Sequence, residues 1–317
     1  MSGATAVPAA AGKLRAAVLG SPISHSRSPQ LHDAAYRHLG LDVDYTRVQV
    51  DESTLGEFLQ EAGTGPDWLG WSVTMPLKAA MVGHMTTVSD RVRTLGVLNT
   101  VVHRTGEDGA RRLHGDNTDV DGIIKAFAEV SAGADEPNPT PPATERIFGL
   151  VGAGGTAAAA LAAAAEMGFG SAVVYARSPE RAASLEPVAD ALGLVLLLRP
   201  RELFHQDLSK GLVPQALVST LPPRAADQLG ADLPTLPAGT ALLDVAYDPW
   251  PSVLATGWQR SGGVVVSGLA MLLHQAVHQV ELFTADTVHP AGLLSESSHA
   301  QMVDNMRAAL GGGAALN

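Results

Sequence analysis

The sequence predicts an α/β protein with two domains. Its 317 residues are enough for two domains, and an apolar fraction of 46% can build a core in each. Short apolar strand segments alternate with helical patterns in both halves of the chain, which is typical of α/β folds. A proline-rich stretch of small and polar residues, 131–145, separates the halves and predicts a flexible loop.

The first half opens with "RAAVLG", a short apolar run ending in glycine that predicts a buried strand. A helix is predicted over Pro29–Leu39, with Ser28 as its N-cap and Gly40 at its end. An alternating strand at Val43–Val50, a helix in "STLGEFLQEAG" and a strand in "WLGWSVTMP" follow. After a further helical stretch, "VLNTVVHR" and "RRLHGDNT" predict two strands joined by a turn.

The second half opens with "RIFGLVGAGG", which predicts a strand running into a glycine turn. The alanine-rich helix "TAAAALAAAAEMG" ends at Gly168, and its small side chains allow close packing on a sheet. Five further strands are predicted in "SAVVYAR", "GLVLLLR", "ALVST", "ALLDVAY" and "GGVVVSG". The segment "LAMLLHQAVHQVELFT" predicts a long C-terminal helix.

The glycine turn carries Gly152-x-Gly154-x-x-Ala157 between a predicted strand and a predicted helix. Glycine lets the backbone turn sharply and approach a pyrophosphate, and the helix N-terminus offers free N–H groups to the anion. The pattern alone is weak evidence, but its position between strand and helix makes it specific. The sequence therefore predicts a Rossmann-like dinucleotide-binding domain in the second half.

The end of the next strand favours NADP over NAD. NAD-binding domains usually place Asp or Glu there to accept a hydrogen bond from the ribose 2′-hydroxyl. This chain instead has Arg177 and Ser178, with Arg181 one helical turn further on. Arginine suits the negative charge of a 2′-phosphate, whereas a solvated arginine beside Glu180 is the alternative interpretation.

Composition excludes several classes of function. The chain has no cysteine, so it has no disulfide, thiolate metal site or cysteine nucleophile. Its net charge is −11 and it has no Lys/Arg-rich block, which argues against nucleic acid or acidic membranes as partners. No apolar run reaches the roughly 20 residues of a membrane-spanning helix. We expect a cytoplasmic protein without a signal peptide, with flexible tails at 1–13 and 311–317.

Candidate site residues cluster in three stretches of the first half. Ser26 and Ser28 precede a helix, where two hydroxyls can form an uncharged cradle for a carboxylate. Lys78 lies just beyond a strand that ends in proline. Asn117, Thr118 and Asp119 lie at a strand-to-helix turn, where helix capping is the default role.

Taken together, these segments resemble the shikimate dehydrogenase family. The motifs "GSPISHSRSP", "SVTMPLK", "VLNT", "GDNTD", "GAGG" and "GLAMLLHQA" occur in the order and approximate spacing of that family, from about Val18 to Phe283. The resemblance implies NADP-dependent reduction of 3-dehydroshikimate to shikimate, in the aromatic amino acid pathway that leads to chorismate. It also implies a substrate-binding domain at 14–118 plus 273–310 and an NADP-binding domain at 119–272, with a cleft between them.

The resemblance also implies roles for individual residues. Lys78 and Asp119 would form the catalytic pair. The substrate would be bound by the carboxylate-holding serines, by residues that contact the ring hydroxyls, and by Tyr247 near the carboxylate: Ser26, Ser28, Thr74, Lys78, Asn99, Asp119, Tyr247 and Gln275. The cofactor would be held by Gly152, Ala153, Gly154, Gly155, Ala176, Arg177, Ser178, Arg181 and Gly268. No metal is implied.

The chain departs from the common family pattern at several positions. Ser72 replaces a frequent asparagine, 176–178 reads Ala-Arg-Ser instead of Asn-Arg-Thr, and "VSTLPP" replaces an Asn-Ala-Thr run. "NTDVDG" also replaces "NTDG". The changes near the predicted cofactor site leave the strictness of NADP preference open.

Three alternatives stay open at this point. One is a quinate/shikimate dehydrogenase that prefers NAD, and another is a non-catalytic NADP-binding regulatory module, against which the presence of Lys78 and Asp119 argues. The third is a metal site at His274 and His278, but the helix has no glutamate at the position a zinc protease requires. The sequence also leaves open monomer or homodimer, and whether Lys78 or Asp119 transfers the proton.

Overall fold

The structure of the protein is a computed structural model that describes residues 13–61, 65–106, 108–131, 146–285 and 294–311. Within these residues the chain forms two six-stranded sheets with helices packed around them. The strands are β1 (Leu14–Gly20), β2 (Val43–Gln49), β3 (Trp68–Val73), β4 (Thr87–Val88), β5 (Thr100–Thr105), β6 (Arg111–Asp116), β7 (Ile147–Val151), β8 (Ser171–Ala176), β9 (Val195–Pro200), β10 (Ala216–Ser219), β11 (Ala241–Asp244) and β12 (Val264–Ser267).

The helices surround both sheets. They are α1 (Ser28–Leu39), α2 (Leu55–Glu61), α3 (Leu77–Ala80), α4 (Asp90–Leu95), α5 (Asp119–Ser131), α6 (Gly155–Glu166), α7 (Pro179–Ala183), α8 (Glu186–Ala191), α9 (Phe204–Ser209), α10 (Val253–Arg260), α11 (Gly268–Thr284) and α12 (Glu296–Ala309). The predicted α/β fold class is confirmed, since helices and strands alternate along both parts of the chain.

The first sheet has the strand order β2-β1-β3-β5-β6-β4. Strands β2, β1 and β3 are parallel, whereas β5 runs antiparallel to both β3 and β6. All six residues of β3 are buried, as expected for a central strand that is covered on both faces. Because β3 and β6 run in the same direction with β5 reversed between them, the ends of β3 and β6 and the start of β5 lie at one edge of the sheet.

The second sheet has the order β12-β11-β10-β7-β8-β9, and all its pairs are parallel. This is the strand order of the doubly wound dinucleotide-binding fold, with its switch point between β7 and β10. Helix α6 follows β7, and its alanines at 157–160 and 162–164 are buried. The small side chains therefore allow this helix to pack closely on the sheet, as the sequence predicted.

Helices α5 and α11 connect the two sheets. Helix α5 leads from β6 of the first sheet toward β7, and α11 leads from β12 back to β3 and β5. The two helices pack against each other at Gly122, where an added Cβ would lie 2.8 Å from the Met271 carbonyl oxygen and 3.0 Å from Gln275 Cβ. A larger residue would push α11 away, so Gly122 sets the spacing of the connecting helices.

Several predicted elements differ in detail from the structure. Helix α1 begins at Ser28, so Arg27 is the N-cap and its side chain makes no capping hydrogen bond. The expected Ser28 cap is therefore wrong; Ser26 Oγ instead accepts a hydrogen bond from the Ser28 backbone N–H, at 3.3 Å. The strand in "VLNTVVHR" begins only at Thr100.

Helices α8, α9, α10 and α12 and the two-residue strand β4 were not predicted from the sequence. Helix α12 packs on α1, and its Met302 and Met306 are fully buried. Its outer face is polar, so only the four-residue spacing of the two methionines and the Ser295 N-cap signal the helix.

The predicted loop at 131–145 and the predicted tails at 1–13 and 311–317 lie outside the described residues, apart from Lys13, Ser131 and Gly311. Among the described helices, none combines the length and apolar character that crossing a membrane requires.

Candidate active site

Lys78 and Asp119 form an ion pair between the two sheets. Lys78 lies in α3, just after β3, and Asp119 is the first residue of α5, just after β6. Since β3 and β6 end at the same edge of the first sheet, the two side chains reach the same place although 41 positions separate them. Their side chains are only 13% and 6% exposed, so water screens this pair less than a surface pair.

Asn99 holds the second oxygen of Asp119. Its Nδ2 donates to Asp119 Oδ1 at 2.8 Å, while Lys78 contacts Oδ2. The orientation of the Asn99 amide is fixed, because its Oδ1 accepts a hydrogen bond from the Thr118 backbone N–H at 2.7 Å. Each carboxylate oxygen of Asp119 therefore has its own donor, and the carboxylate is held in one orientation.

Gln275 joins this group from α11. Its Oε1 accepts a hydrogen bond from Asn99 Nδ2 at 3.3 Å, and its Nε2 donates to the Leu272 carbonyl at 2.9 Å. Both Asn99 and Gln275 are buried. The structure thus brings together four of the predicted site residues: Lys78, Asn99, Asp119 and Gln275.

The same edge of the sheet contacts the predicted dinucleotide turn. Lys78 Nζ lies 3.4 Å from Thr156 Oγ1 in the first turn of α6. An added Cβ at Gly155 would lie 3.5 Å from Lys78 Cδ, which is ordinary van der Waals contact. The lysine amine therefore lies between Asp119 and the start of α6, and the sequence analysis did not single out Thr156.

A second buried polar residue of α11, Gln279, supports Asn99 from behind. Its Nε2 donates to the Asn99 carbonyl and to Thr100 Oγ1, each at 3.0 Å. Its Oε1 accepts hydrogen bonds from Ser72 Oγ at 2.7 Å and from His32 Nε2 at 3.3 Å. Because Nε2 faces a carbonyl, Oε1 must be the acceptor, and His32 must carry its proton on Nε2.

His32 stays neutral in this environment. It is fully buried, stacks on Tyr45 at a ring distance of 4.0 Å, and its Nδ1 faces the Tyr36 hydroxyl at 3.1 Å. Burial lowers the pKa of His32 to about 3, against the opposing effect of the hydrogen bond to Gln279.

Gln279 and Tyr45 were not predicted from the sequence. Tyr45 donates to Ser72 Oγ at 2.6 Å, so Tyr45, Ser72 and Gln279 form one chain of hydrogen bonds that ends at Asn99. The available signal was the four-residue spacing of Gln275 and Gln279, which puts both amides on one face of the helix.

Ser26 and Ser28 converge at the start of α1. Ser26 Oγ donates to Ser28 Oγ at 3.2 Å, and Ser28 is buried while Ser26 is half-buried. Thr74 follows β3 and packs over Gly20, where an added Cβ would lie 2.5 Å from Thr74 Cγ2. Tyr247 is half-buried, and burial raises the pKa of its hydroxyl. Within the described residues, no hydrogen bond joins Thr74 or Tyr247 to the Lys78–Asp119 pair.

The predicted dinucleotide turn has the geometry that such a turn requires. Gly152 has a φ of +107°, a left-handed conformation that favours glycine, and an added Cβ there would lie 2.5 Å from Thr220 Oγ1. Gly154 is the N-cap of α6, and no atom lies within 4 Å of a Cβ built on it. The backbone of the turn is therefore open to an approaching group.

A cavity of about 330 Å³ adjoins this turn. Its lining includes Ala153, Gly154, Gly155 and Arg181. Arg177 does not line it. A second cavity, of about 240 Å³, lies by Pro222, Asp244 and Ser252 and does not reach the Lys78–Asp119 pair.

The end of β8 presents two cations. Ser178 caps α7 by accepting a hydrogen bond from the Arg181 N–H, and its hydroxyl donates to Glu180 at 2.8 Å. Glu180 is thus engaged by Ser178 and not by an arginine. The exposed side chains of Arg177 and Arg181 have no recorded hydrogen bond or ion pair with any residue that the structure describes.

The remaining predicted cofactor residues lie at element ends. Ala176 is the last residue of β8 and is buried. Gly268 is the first residue of α11, and an added Cβ there would lie 2.3 Å from the Val245 carbonyl oxygen. Glycine at 268 therefore allows α11 to start directly against the segment that follows β11.

The two histidines of "HQAVH" face different carboxylates on α5. His274 Nε2 lies 2.7 Å from Glu129 Oε1, and His278 Nδ1 lies 3.0 Å from Asp121 Oδ2. No group of three or more His, Asp or Glu side chains placed to hold a metal ion occurs in the described part of the chain. These histidines link α11 to α5.

Comparisons with known proteins agree on one family. Residues 18–101 match the model of the shikimate dehydrogenase substrate binding domain. The chain is 35% identical over 271 residues to the shikimate dehydrogenase (NADP(+)) of Methylobacterium radiotolerans, which covers 83% of this chain and 88% of that protein. It is 34% identical to the enzyme of the same name from Sphingopyxis alaskensis, over 84% of this chain and 90% of that protein.

Solved structures give the same result. The shikimate dehydrogenase of Mycobacterium tuberculosis superposes with a TM-score of 0.73 at 35% identity, covering 92% of this chain and 98% of that one. The shikimate 5-dehydrogenase of Thermus thermophilus, solved in complex with NADP(H) and shikimate, superposes with a TM-score of 0.69 at 29% identity. That match covers 94% of this chain and all of the other.

Proposed function

We infer the reaction of this protein from its family, because the chain belongs to the shikimate dehydrogenase family. The protein is an enzyme that interconverts 3-dehydroshikimate and shikimate with NADP as its cofactor. It acts in the pathway that makes chorismate and the aromatic amino acids. Shikimate is its small-molecule substrate.

The residues at the glycine turn fit NADP. Gly152 and Gly154 leave the backbone accessible, the N-terminus of α6 offers free N–H groups, and Arg181 lines the adjoining cavity. Gly155 and Ala153 would line the pyrophosphate, while Arg177 and Ser178 would lie near a 2′-phosphate. The absence of an acidic residue at the end of β8 supports NADP over NAD, since a carboxylate there would repel the phosphate.

One observation carries the assignment of the catalytic residues: the Lys78–Asp119 ion pair lies against the start of α6. Reduction of the C3 ketone puts a hydride on carbon and a proton on oxygen, and NADPH supplies the hydride when it is bound. The amine of Lys78 lies on the side of the first sheet that faces α6, where it can donate a proton and stabilise negative charge on the oxygen. Lys78 is thus the proposed proton donor.

Asp119 would orient both the lysine and the substrate. Its Oδ1 is held by Asn99 and its Oδ2 by Lys78, so the carboxylate keeps one orientation while it accepts a hydrogen bond from a ring hydroxyl. Asn99 and Gln275 are the other proposed partners of the ring hydroxyls. Both are buried and oriented by hydrogen bonds to the backbone, so little ordering is needed on binding.

The substrate carboxylate is assigned to the start of α1. Ser26 and Ser28 bring two hydroxyls to a helix N-terminus, which favours an anion. The proposal places Thr74 and Tyr247 beside the same pocket. Charge-assisted hydrogen bonds from the hydroxyls contribute about 1.5–3 kcal/mol each.

We propose that the chain divides into two domains. Residues 14–118 with 273–310 would bind the substrate, and residues 119–272 would bind NADP. The strand composition of the two sheets supports this, because β1–β6 form one sheet and β7–β12 form the other. A boundary inside α11 is supported by its first residue, Gly268, lying against Val245 while Gln279 contacts Asn99.

The function is tested by initial-rate measurements of NADPH oxidation with 3-dehydroshikimate, repeated with NADH and with quinate and shikimate in the oxidation direction. We expect turnover with 3-dehydroshikimate and a higher kcat/KM with NADPH than with NADH. An absence of turnover with either cofactor would contradict the function, and a higher kcat/KM for quinate with NAD would support the alternative enzyme.

A further inference from the structure

Arg47 reaches the serine pair from strand β2. Residues 43, 45 and 47 lie on one face of that strand, because side chains alternate along a strand. Val43 and Tyr45 are buried, and Tyr45 stacks on His32 of α1. The side chain of Arg47 therefore projects on the α1 side of the sheet, toward the loop that carries Ser26.

The guanidinium of Arg47 donates two hydrogen bonds to the backbone of Ser26. Its Nε donates to the Ser26 carbonyl oxygen at 2.8 Å, and its Nη2 donates to the same oxygen at 2.6 Å. A guanidinium has five N–H groups, so these two bonds leave three. None of the three has a recorded acceptor among the residues that the structure describes.

The surroundings of Arg47 also include Tyr247, another residue assigned to the carboxylate. Burial raises the pKa of the Tyr247 hydroxyl, and the charges of Arg27 and Arg47 act against this effect. Arg27 is already engaged, since its Nη2 donates to the Leu310 carbonyl at 3.1 Å and its Nε to Gln30 at 2.9 Å. Asp33 is one acidic residue nearby, and both Arg37 and Arg47 act on it. Asp44 also acts on Asp33, and Asp248 acts on Tyr247.

We propose that Arg47 is a substrate-binding residue, which recognises the carboxylate of the substrate beside Ser26 and so makes the pocket selective for the acid. The proposal rests on the function inferred above. The two hydroxyls of Ser26 and Ser28 are uncharged, and the free N–H groups of Arg47 supply the positive charge that the pair lacks. Arg47 takes no part in the chemistry at C3.

Recognition of the substrate carboxylate by Arg47 can be distinguished experimentally from a purely structural role of this residue. If Arg47 only holds the Ser26 loop in place, its loss weakens the binding of every ligand of the pocket equally. If Arg47 recognises negative charge, its loss weakens the binding of the acid and leaves the binding of an uncharged ligand unchanged. Shikimate and its methyl ester differ in that charge and share the ring hydroxyls.

The test compares wild type with Arg47→Gln, Arg47→Lys and the control Arg37→Gln. Arg37 is also exposed and bonds a backbone carbonyl, that of Asp33, but lies at the far end of α1. We expect Arg47→Gln to raise the KM for shikimate about tenfold with kcat within about twofold, because a charge-assisted bond at an exposed site is partly screened. Arg47→Lys should recover part of the loss, and Arg37→Gln should match wild type.

Affinities for methyl shikimate, measured as a competitive inhibitor, then decide the cause. The proposal expects Arg47→Gln to bind the ester about as well as wild type does, whereas an equal loss for ester and acid overturns it. If the ester binds too weakly to measure, the rise of the shikimate KM with salt decides instead. It should be steeper for wild type than for Arg47→Gln, and equal slopes overturn the proposal. A wild type that turns over no substrate refutes the function itself, which is a separate outcome.

Discussion

Asn99 donates a 2.8 Å hydrogen bond to Oδ1 of Asp119, and this leaves Oδ2 to Lys78. The two oxygens of one carboxylate thus have separate partners, one from the residue just before β5 and one from α3. The carboxylate is fixed from one side, while the lysine amine also lies 3.4 Å from the first turn of α6. The proposed reaction depends on this arrangement.

Replacing Lys78 with methionine should abolish most activity and leave the fold intact. Methionine keeps the length of the side chain but removes the proton donor, so kcat should fall about 10²–10⁴-fold. The measurement is the initial rate with saturating NADPH and 3-dehydroshikimate. Lys125→Met on the exposed face of α5 is the matched control. A kcat for Lys78→Met within about twofold of wild type would remove the lysine from the mechanism.

The arginines after β8 should control the choice of cofactor. An Arg177→Gln/Arg181→Gln variant should raise the KM for NADPH by about tenfold or more, since it loses charge-assisted contacts to the 2′-phosphate. The KM for NADH should stay within about twofold, because NADH lacks that phosphate. Arg260→Gln, exposed at the end of α10, serves as the control. An equal rise of the KM for NADPH and the KM for NADH would show that the arginines do not bind the 2′-phosphate.

Gln279 should matter for stability as well as for the site. Gln279→Leu removes the donors to the Asn99 carbonyl and Thr100, and it leaves buried polar atoms without partners. We expect a loss of about 1–3 kcal/mol in the free energy of unfolding in urea. The control is Gln301→Leu on the exposed face of α12. Equal midpoints for Gln279→Leu and wild type would mean that this hydrogen-bond chain adds nothing to stability.

His278 should make stability fall as the pH rises above neutrality. The hydrogen bond to Asp121 raises the pKa of His278 above its usual 6.5, against the opposing effect of burial. The folded state therefore binds the proton more tightly than the unfolded state, and the pair stabilises fully below pH 6.5. This stabilisation is lost as the pH rises through the folded pKa.

The check for His278 is urea unfolding of wild type and His278→Gln across a pH series. The difference in unfolding free energy between them should be largest near pH 6 and should shrink by pH 9. His25→Gln, an exposed loop substitution, serves as the control. A difference that grows with pH would reverse the sign of the linkage and contradict the interpretation.

The sequence predicted the second sheet well because its signals are local. The strand before Gly152, the left-handed turn and the alanine helix are encoded within twenty consecutive residues. The meeting of Lys78 with Asp119 is not local. It depends on β5 lying reversed between β3 and β6, which no short pattern encodes; only the resemblance to a family placed the two residues together.

The supporting residues were the hardest to foresee. Gln279 looks like any polar residue of a helix until its burial is known, and burial depends on β3 and β5 packing against α11. The prediction of Ser28 as the N-cap was wrong for a related reason. Arg27 is the residue that precedes α1, and Ser26 Oγ accepts the hydrogen bond from the Ser28 backbone N–H. The role proposed for Arg47 could not be predicted from the sequence, because a surface arginine on a strand is usually solvated.

A crystal structure with NADP(H) and shikimate bound would show whether Lys78 and Asp119 meet the substrate as proposed. We expect Lys78 Nζ and one oxygen of Asp119 both to lie within hydrogen-bond distance of the hydroxyl groups at and beside C3, with C3 facing the nicotinamide. A complex in which the ring lies away from both side chains, or in which C3 faces away from the start of α6, would contradict this expectation.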